Sequence, residues 1–442
     1  MQHNLRNIAK RQPNFFALTP LIVFLLMYLV TSLILQDFYK IPITIAFLFS
    51  CIYAVAITSG LNISQRITRF SRGASNKSIM LMIWIFILAG AFAQTTKSMG
   101  GVQQAVNIAL KILPSNFLLP GMFLTSCFIS LSIGTSVGTI AALMPVAAGI
   151  ASQTGFDITI MAGIIVGGAY FGDNLSFISD TTVVATKTQG CMMKDKFREN
   201  IKIVTPAAIA ALIIYFFLGK DFAFSLQENE IMFVKVLPYI AVLITAIIGV
   251  DVIIVLFLGT ILAGLIGIFS GDYDIFGWFS NMGDGVLSMS ELIIVTLLAG
   301  GMLELIRYNG GMDFLVEKIS AKIRGRLGAE FSIASLVFFA DLCTANNTVA
   351  IITVGQATNK ISSKFGISPK RAASILDTFS CFAQGLIPYG AQMLLAAGLC
   401  KIAPSSITPY LFYPFLMGLC ALLSIVFYKP KTKKNAKVSL QP

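Results

Sequence analysis

Apolar runs recur from one end of this chain of 442 residues to the other, and many approach the roughly 20 residues that a helix needs to cross a bilayer. Backbone facing lipid must close its own hydrogen bonds, which a helix does within one segment. The expected fold is therefore an all-α polytopic membrane protein, with about ten transmembrane helices and two re-entrant hairpins. Composition agrees: hydrophobic residues make up 56% of the sequence, and the mean hydropathy is +0.82.

The formal charge of +12 is no sign of a nucleic-acid partner. The basic residues sit in short loops between apolar runs, where they mark the cytoplasmic side and face anionic lipid. The first apolar run lacks a small-residue cleavage site and reads as an anchor rather than a removed signal peptide. The seven cysteines are scattered without a CxxC, so neither disulfides nor zinc are expected. His3 is the single histidine. Any proton carrier inside the membrane must then be Asp, Glu or Lys. No cofactor is implied.

The loop charges set a path. Residues 1–77 hold a tail with Arg6, Lys10 and Arg11, two spans, and an inner loop with Arg66, Arg69, Arg72 and Lys77. A first half follows at 78–218, with Lys187, Lys194, Lys196, Arg198 and Lys202 in an inner loop at 187–202. Residues 219–290 hold two more spans between acidic outer loops (Asp221, Glu228 and Glu230; Asp272, Asp274 and Asp284). A second half covers 291–428, with inner segments at 307–330 and around Lys360, Lys364, Lys370 and Arg371. The basic tail 429–442 returns inside.

Each half contains two interruptions. Residues 117–152 run for 36 positions without a charge, with GTSVGT (134–139) in the middle. Two full spans would need about 40 residues plus a turn, so a re-entrant hairpin with a polar tip fits better. Residues 331–354, with Asp341 and CTANNT (343–348), read as the second hairpin. The broken spans are 158–178, running into GGAYFGDNLSFISDTT (167–182), and 372–399, containing AQGLIPYG (383–390). Thr135 and Thr139 lie 209 positions before Thr344 and Thr348, whereas FGDNLSFIS from Phe171 lies 211 before FAQGLIPYG from Phe382. The block of spans 1–5 starts inside and the block of spans 6–10 starts outside, which predicts two inverted repeats with breaks meeting at the midplane, the build of many secondary transporters.

GTSVGT followed by Pro145, then FGDNLSFISDTT, resembles the NhaC-type sodium/proton antiporter family of the ion-transporter superfamily. The family pattern is close to GTSxGT, then GDxxSPxSDTT. This chain departs from it at Phe177, where proline is usual, at Asn174, where lysine is common, and at IPYGAQ (387–392), where IPWN is frequent. The resemblance implies a secondary carrier of the bacterial inner membrane. It also implies a homodimer, with scaffold spans in 1–77 and 219–290 and moving transport halves in 78–218 and 291–428. Relatives exchange carboxylates such as malate and lactate, and others are suspected amino-acid carriers.

A carboxylate at membrane depth costs about 3 kcal/mol on insertion scales, so Asp173 is the first candidate, with Asn174, Ser176 and Asp180 around it. Asp173 is the expected Na+ ligand. One buried aspartate holds either a proton or a cation, and exchange follows from that competition. Were 173–180 helical, Asp173, Ser176 and Asp180 would share a face. Asp180 fits a ligand or a helix cap equally well. The tips add Thr135, Ser136 and Thr139, then Asn346, Asn347 and Thr348. Gln384 is the counterpart of Asp173 in the second half. Asp341 and Asp377 are either proton sites or partners of a basic side chain. Glu304 reads as a surface partner of Arg307.

Sodium/proton antiport is the first reading and an ion-coupled organic-anion or amino-acid carrier the second. The tips carry hydroxyls and amides rather than cationic groups, which favours a cation, although ANNT (345–348) would also suit a carboxylate. A channel or membrane enzyme comes third, since HExxH, GxSxG and Walker motifs are missing.

Overall fold

The computed structural model describes residues 12–30, 42–112, 114–176, 179–220, 232–321 and 323–427. Several segments lie outside the described residues: the tail with His3, the stretch 31–41 with Asp37 and Lys40, Phe177, the acidic stretch 221–231 and the basic tail 429–442. Among the described residues, regular structure is helical throughout.

The first part comprises α1 (Thr19–Leu25), α2 (Ile43–Ile57), α3 (Ile63–Ala74), α4 (Lys77–Ser98) and α5 (Gly101–Ile112). A hairpin of α6 (Leu118–Ile133) and α7 (Ser136–Thr154) follows, then α8 (Ile158–Leu175), α9 (Asp180–Gln189) and α10 (Met193–Gly219). The middle holds α11 (Leu237–Ile247), α12 (Val252–Phe269), α13 (Ile275–Ser288), α14 (Ser290–Tyr308) and α15 (Gly311–Ala321). The last part has a hairpin of α16 (Gly325–Thr344) and α17 (Asn347–Lys364), then α18 (Pro369–Leu386), α19 (Ala391–Cys400), α20 (Pro404–Ile407) and α21 (Phe412–Phe427).

Six of these helices are long and apolar enough to cross a membrane, or up to eight if each of two bent pairs is one span, and shorter apolar helices accompany them. Large apolar side chains such as Phe217, Phe269 and Phe427 stand exposed, as lipid-facing positions require. The chain is a multi-pass membrane protein.

Several segments read as loops are helical, the inner loop 187–202 among them, since α10 begins at Met193. At 62–77 the capping box of Asn62 and Gln65 starts α3, and at 271–290 Asp274 accepts from the Gly277 amide to start α13. Both are amphipathic, so their charges do not prevent a helix with one packed face. Phe70 of α3 packs over Gly301 of α14, and Gly90 of α4 meets Gly285 of α13 backbone to backbone. The segment 307–330 likewise contains α15. Glu304 pairs with Arg69 across helices at 3.0 Å, not with Arg307.

Helix ends recur at one interval. The first residues of α8 and α18 are 211 apart, as are their last. The same holds for α9 and α19, whose left-handed C-caps are Gly190 and Lys401. It also holds at the tips: Gly134 and Ala345 are left-handed, and Thr135 and Asn346 are the N-caps that follow. The tip equivalence of 209 read from matching threonines is therefore corrected to 211. Backbone geometry pairs Thr135 with Asn346 and Ser136 with Asn347, so shared threonines misled by two positions.

The packing crosses over. α6 lies along α8 and α16 along α18, while α9 packs on α17 and α19 packs on α7. The short helix after each break thus rests on the more distant hairpin, which draws both breaks and both tips together.

Candidate functional site

α8 stops at Leu175, and Ser176 and Ser179 are extended before α9 begins. Serine and asparagine favour such ends because their side chains compete with the helix for backbone partners. The condition that 173–180 stay helical therefore fails. Asp173 and Asp180 nevertheless line one cavity. The hydroxyls of Thr181 and Thr182 donate to the Asp173 carbonyl at 3.2 and 3.4 Å.

The Ser136 amide donates to Asp173 Oδ1 at 3.0 Å. This sets the carboxylate at the N-terminus of α7, where the helix dipole favours negative charge. The second tip is built alike. Asn346 Oδ1 accepts from the Val349 amide at 2.9 Å, and Asn347 Oδ1 accepts from the Thr348 amide at 3.0 Å.

Thr135, Ser136, Asp173, Asp180, Asn346, Asn347 and Thr348 line one cavity of about 90 Å³. That is room for a small cation with a few waters. Ser78 and Met82 of α4 close another side. Asp173 is buried, whereas Asp180 is exposed and is the first residue of α9, not its N-cap.

Four of the binding candidates, and the proton-site candidates Asp341 and Asp377, are not in the wall. Asn174 donates to the Tyr170 carbonyl of its own helix at 3.1 Å, and Thr139 to the Thr135 carbonyl at 3.0 Å. Ser176 is buried, its amide closing the last turn of α8 on Gly172. Gln384 stands behind the wall, where it donates to the Ala345 carbonyl at 3.0 Å and to Gln392 Oε1 at 2.9 Å.

Asp377 has a basic partner. Its Oδ2 meets Lys196 Nζ at 2.5 Å and accepts from Asn200 Nδ2 at 2.9 Å. Asp341 is fully buried, and neither of its carboxylate oxygens has a hydrogen-bond partner among the described residues.

Sequence reasoning missed Gln392, Lys196 and Asn200. Gln392 lines the cavity 211 positions after Thr181, which lines it too. Charge patterning places Lys196 in the inner loop 187–202. It is 1% exposed in α10. Lys196, Asn200, Val204 and Ala207 fall on one helical stripe with buried side chains, a periodicity that the charge count obscured. Arg371, read likewise as a loop charge, is buried on α18 against Glu330 at 2.9 Å.

The family model described as "Na+/H+ antiporter family" matches residues 11–220 and 224–428. Among curated proteins, the Na(+)/H(+) antiporter NhaC of Bacillus subtilis is 25% identical over 386 residues, covering 78% of this chain and 83% of the relative. The protein of the same name from Alkalihalophilus pseudofirmus is 23% identical, covering 77% and 80%. The Malate-2H(+)/Na(+)-lactate antiporter of Bacillus subtilis is 21% identical, covering 93% and 94%. The chain belongs to the Na+/H+ antiporter family.

Proposed function

We propose that this chain exchanges Na+ for H+ at the cavity that Asp173 shares with the two hairpin tips. The observation that carries the reading is the Asp173 carboxylate, fixed by the Ser136 amide at 3.0 Å and open to a cavity also lined by Asn346 and Asn347. A hard cation needs several oxygen ligands, and the carboxylate, hydroxyls and amide oxygens there supply them. A proton on Asp173 removes the charge that holds the cation, so the two compete for one group. Asp180, at the exposed rim, guides the ion.

The rest of the architecture is proposed with it. About ten crossings form two inverted halves, 78–218 and 291–428, that rock against scaffold spans in 1–77 and 219–290. The hairpins 117–152 and 331–354 are re-entrant. Both termini lie inside a bacterial inner membrane, basic loops face anionic lipid, and the protein works as a homodimer.

The second reading is an ion-coupled carrier of small carboxylates. The malate/lactate relative favours it, as do the α7 and α17 N-termini at the cavity. Against it, no Lys or Arg is among the lining residues, and about 90 Å³ leaves a dicarboxylate little space.

The test is purified protein in proteoliposomes carrying a pH gradient and an internal pH dye. Addition of Na+ as the salt of an inert anion should collapse the gradient, and Asp173→Asn should abolish the response while inserting and folding normally. Unchanged turnover in Asp173→Asn would sink the site. No response to Na+, Li+ or K+ in the wild type, with a response to malate, lactate or an amino acid, would move the assignment to the second reading.

A further inference from the structure

Lys196 is bonded as a bound metal ion would be. Its ammonium meets three oxygens: the Asn174 carbonyl at 2.7 Å, Thr182 Oγ1 at 2.6 Å and Asp377 Oδ2 at 2.5 Å. Two of these flank the break between α8 and α9, in the last turn of the helix that carries Asp173 and in the first turn beyond it. Freed carbonyls at a helix C-terminus and a nearby carboxylate are the usual makings of a cation site at a broken helix. The cluster also has oxygens to spare. Asn174 Oδ1, Asn200 Oδ1 and Asp377 Oδ1 are buried with no hydrogen-bond partner among the described residues. A helix-to-helix ion pair needs only the two charges, and Glu199–Lys370 joins the same two helices at 3.0 Å.

We infer that Lys196 is a tethered cation filling a second ion position next to the Asp173 cavity, so that the chain handles one fewer exchangeable Na+ than its oxygens could hold. This deepens the proposed function and rests on it for Na+ being the exchanged ion. Lys196 thereby keeps the break in α8 charge-balanced throughout the cycle, while the ion at Asp173 comes and goes.

The experiment counts ²²Na+ bound per chain at equilibrium, on the purified full chain in detergent, for wild type and Lys196→Met. The expected result is one more Na+ per chain in Lys196→Met than in wild type. The additional Na+ should be lost again in the double variant Lys196→Met/Asp377→Asn, which removes both charges. Removing one partner of a buried pair is strongly destabilising, so each preparation is made with Na+ and with choline. Na+ should rescue the folding of Lys196→Met by taking the vacated place. Lys196→Gln, whose amide can still donate to Asp377, is the second variant and carries the same expectation.

A folded Lys196→Met or Lys196→Gln that binds no additional Na+ overturns the inference. So does failure of both variants to fold even with Na+ present. Because the readout is a difference between variant and wild type, absence of Na+ binding in the wild type would defeat the Asp173 assignment alone. The tethered-cation inference would still be decided by whether the variants bind one.

Discussion

Gln392 donates to Ser136 Oγ at 3.0 Å although the two residues are 256 positions apart. Ser136 holds Asp173 through its amide, and Gln384 reaches from the Ala345 carbonyl to the oxygen of Gln392. One chain of hydrogen bonds therefore runs from the second tip to the first tip and on to the carboxylate. Every member named is buried or half-buried.

Gln392→Ala cuts that chain at its middle. It leaves Gln384 and Ser136 each short of a partner in a buried place, at about 1–3 kcal/mol. The expected outcome is a lower melting temperature together with an apparent Na+ affinity weakened about tenfold, as 1.4 kcal/mol would produce. Melting curves and the Na+ dependence of proton flux check both. A loss of stability at unchanged Na+ affinity would show that the bridge serves packing only.

The membrane class, the two hairpins and the stop in α8 were legible because each rests on local composition: charge-free runs, glycine, and serine or asparagine at a helix end. The burial of Asp173 beside that stop was legible for the same reason. What escaped depends on a partner distant in the chain. Lys196 looks like any basic loop residue until Asp377, 181 positions later, is known to face it. Arg371 was misread in the same way. The tip register failed for another reason. Threonines recur at 209, but the left-handed residues Gly134 and Ala345 recur at 211, and backbone conformation rather than residue identity is what the two tips share.

Arg371 and Glu330 test whether every buried ion pair in the molecule is functional. Both are 2% exposed, and Arg371 also donates to the Ser424 carbonyl at 2.9 Å. Neither lines the Asp173 cavity. Glu330→Gln should destabilise the protein by about 3–5 kcal/mol, because it strands a buried guanidinium. The double variant Glu330→Leu/Arg371→Met should regain most of that loss. Melting temperatures of the three proteins decide the matter. Na+/H+ exchange by the double variant should match wild type, and its absence would show that the pair does more than anchor α18.

Gly172 precedes Asp173 and lies against Ser130 of α6. A Cβ there would fall on both the backbone and the side chain of Ser130, whose hydroxyl donates to the Ala169 carbonyl at 2.5 Å. Backbone cannot move aside cheaply, so Gly172→Ala should cost about 1–3 kcal/mol by overpacking and displace Asp173 from the Ser136 amide. Gly167, on the same helix, is the control. Its nearest neighbour would be Tyr413 Cβ at 3.4 Å, an ordinary contact. Gly167→Ala should express and transport as wild type, while Gly172→Ala should lose Na+-dependent proton flux. Equal behaviour of the two variants would contradict the close packing of α6 on α8.

The left-handed residues at the tips make opposite predictions from one geometry. Gly134 has φ +76°, where a side chain costs about 1–2 kcal/mol through contact of Cβ with the backbone. Ala345, its counterpart, adopts φ +49° and bears that cost already. Gly134→Ala should therefore lower the melting temperature, and Ala345→Gly should raise it or leave it level, since the relief is partly offset by the greater freedom of glycine in the unfolded chain. Transport separates stability from function. The two N-caps that follow, Thr135 and Asn346, hold their helices through the amides of Gly138 and Val349, and both line the cavity. If the turn serves only to present those caps, Ala345→Gly exchanges Na+ at the wild-type rate. If strain at Ala345 helps the second tip to move during the cycle, Ala345→Gly is more stable and slower. The paired measurement of melting temperature and flux distinguishes the two.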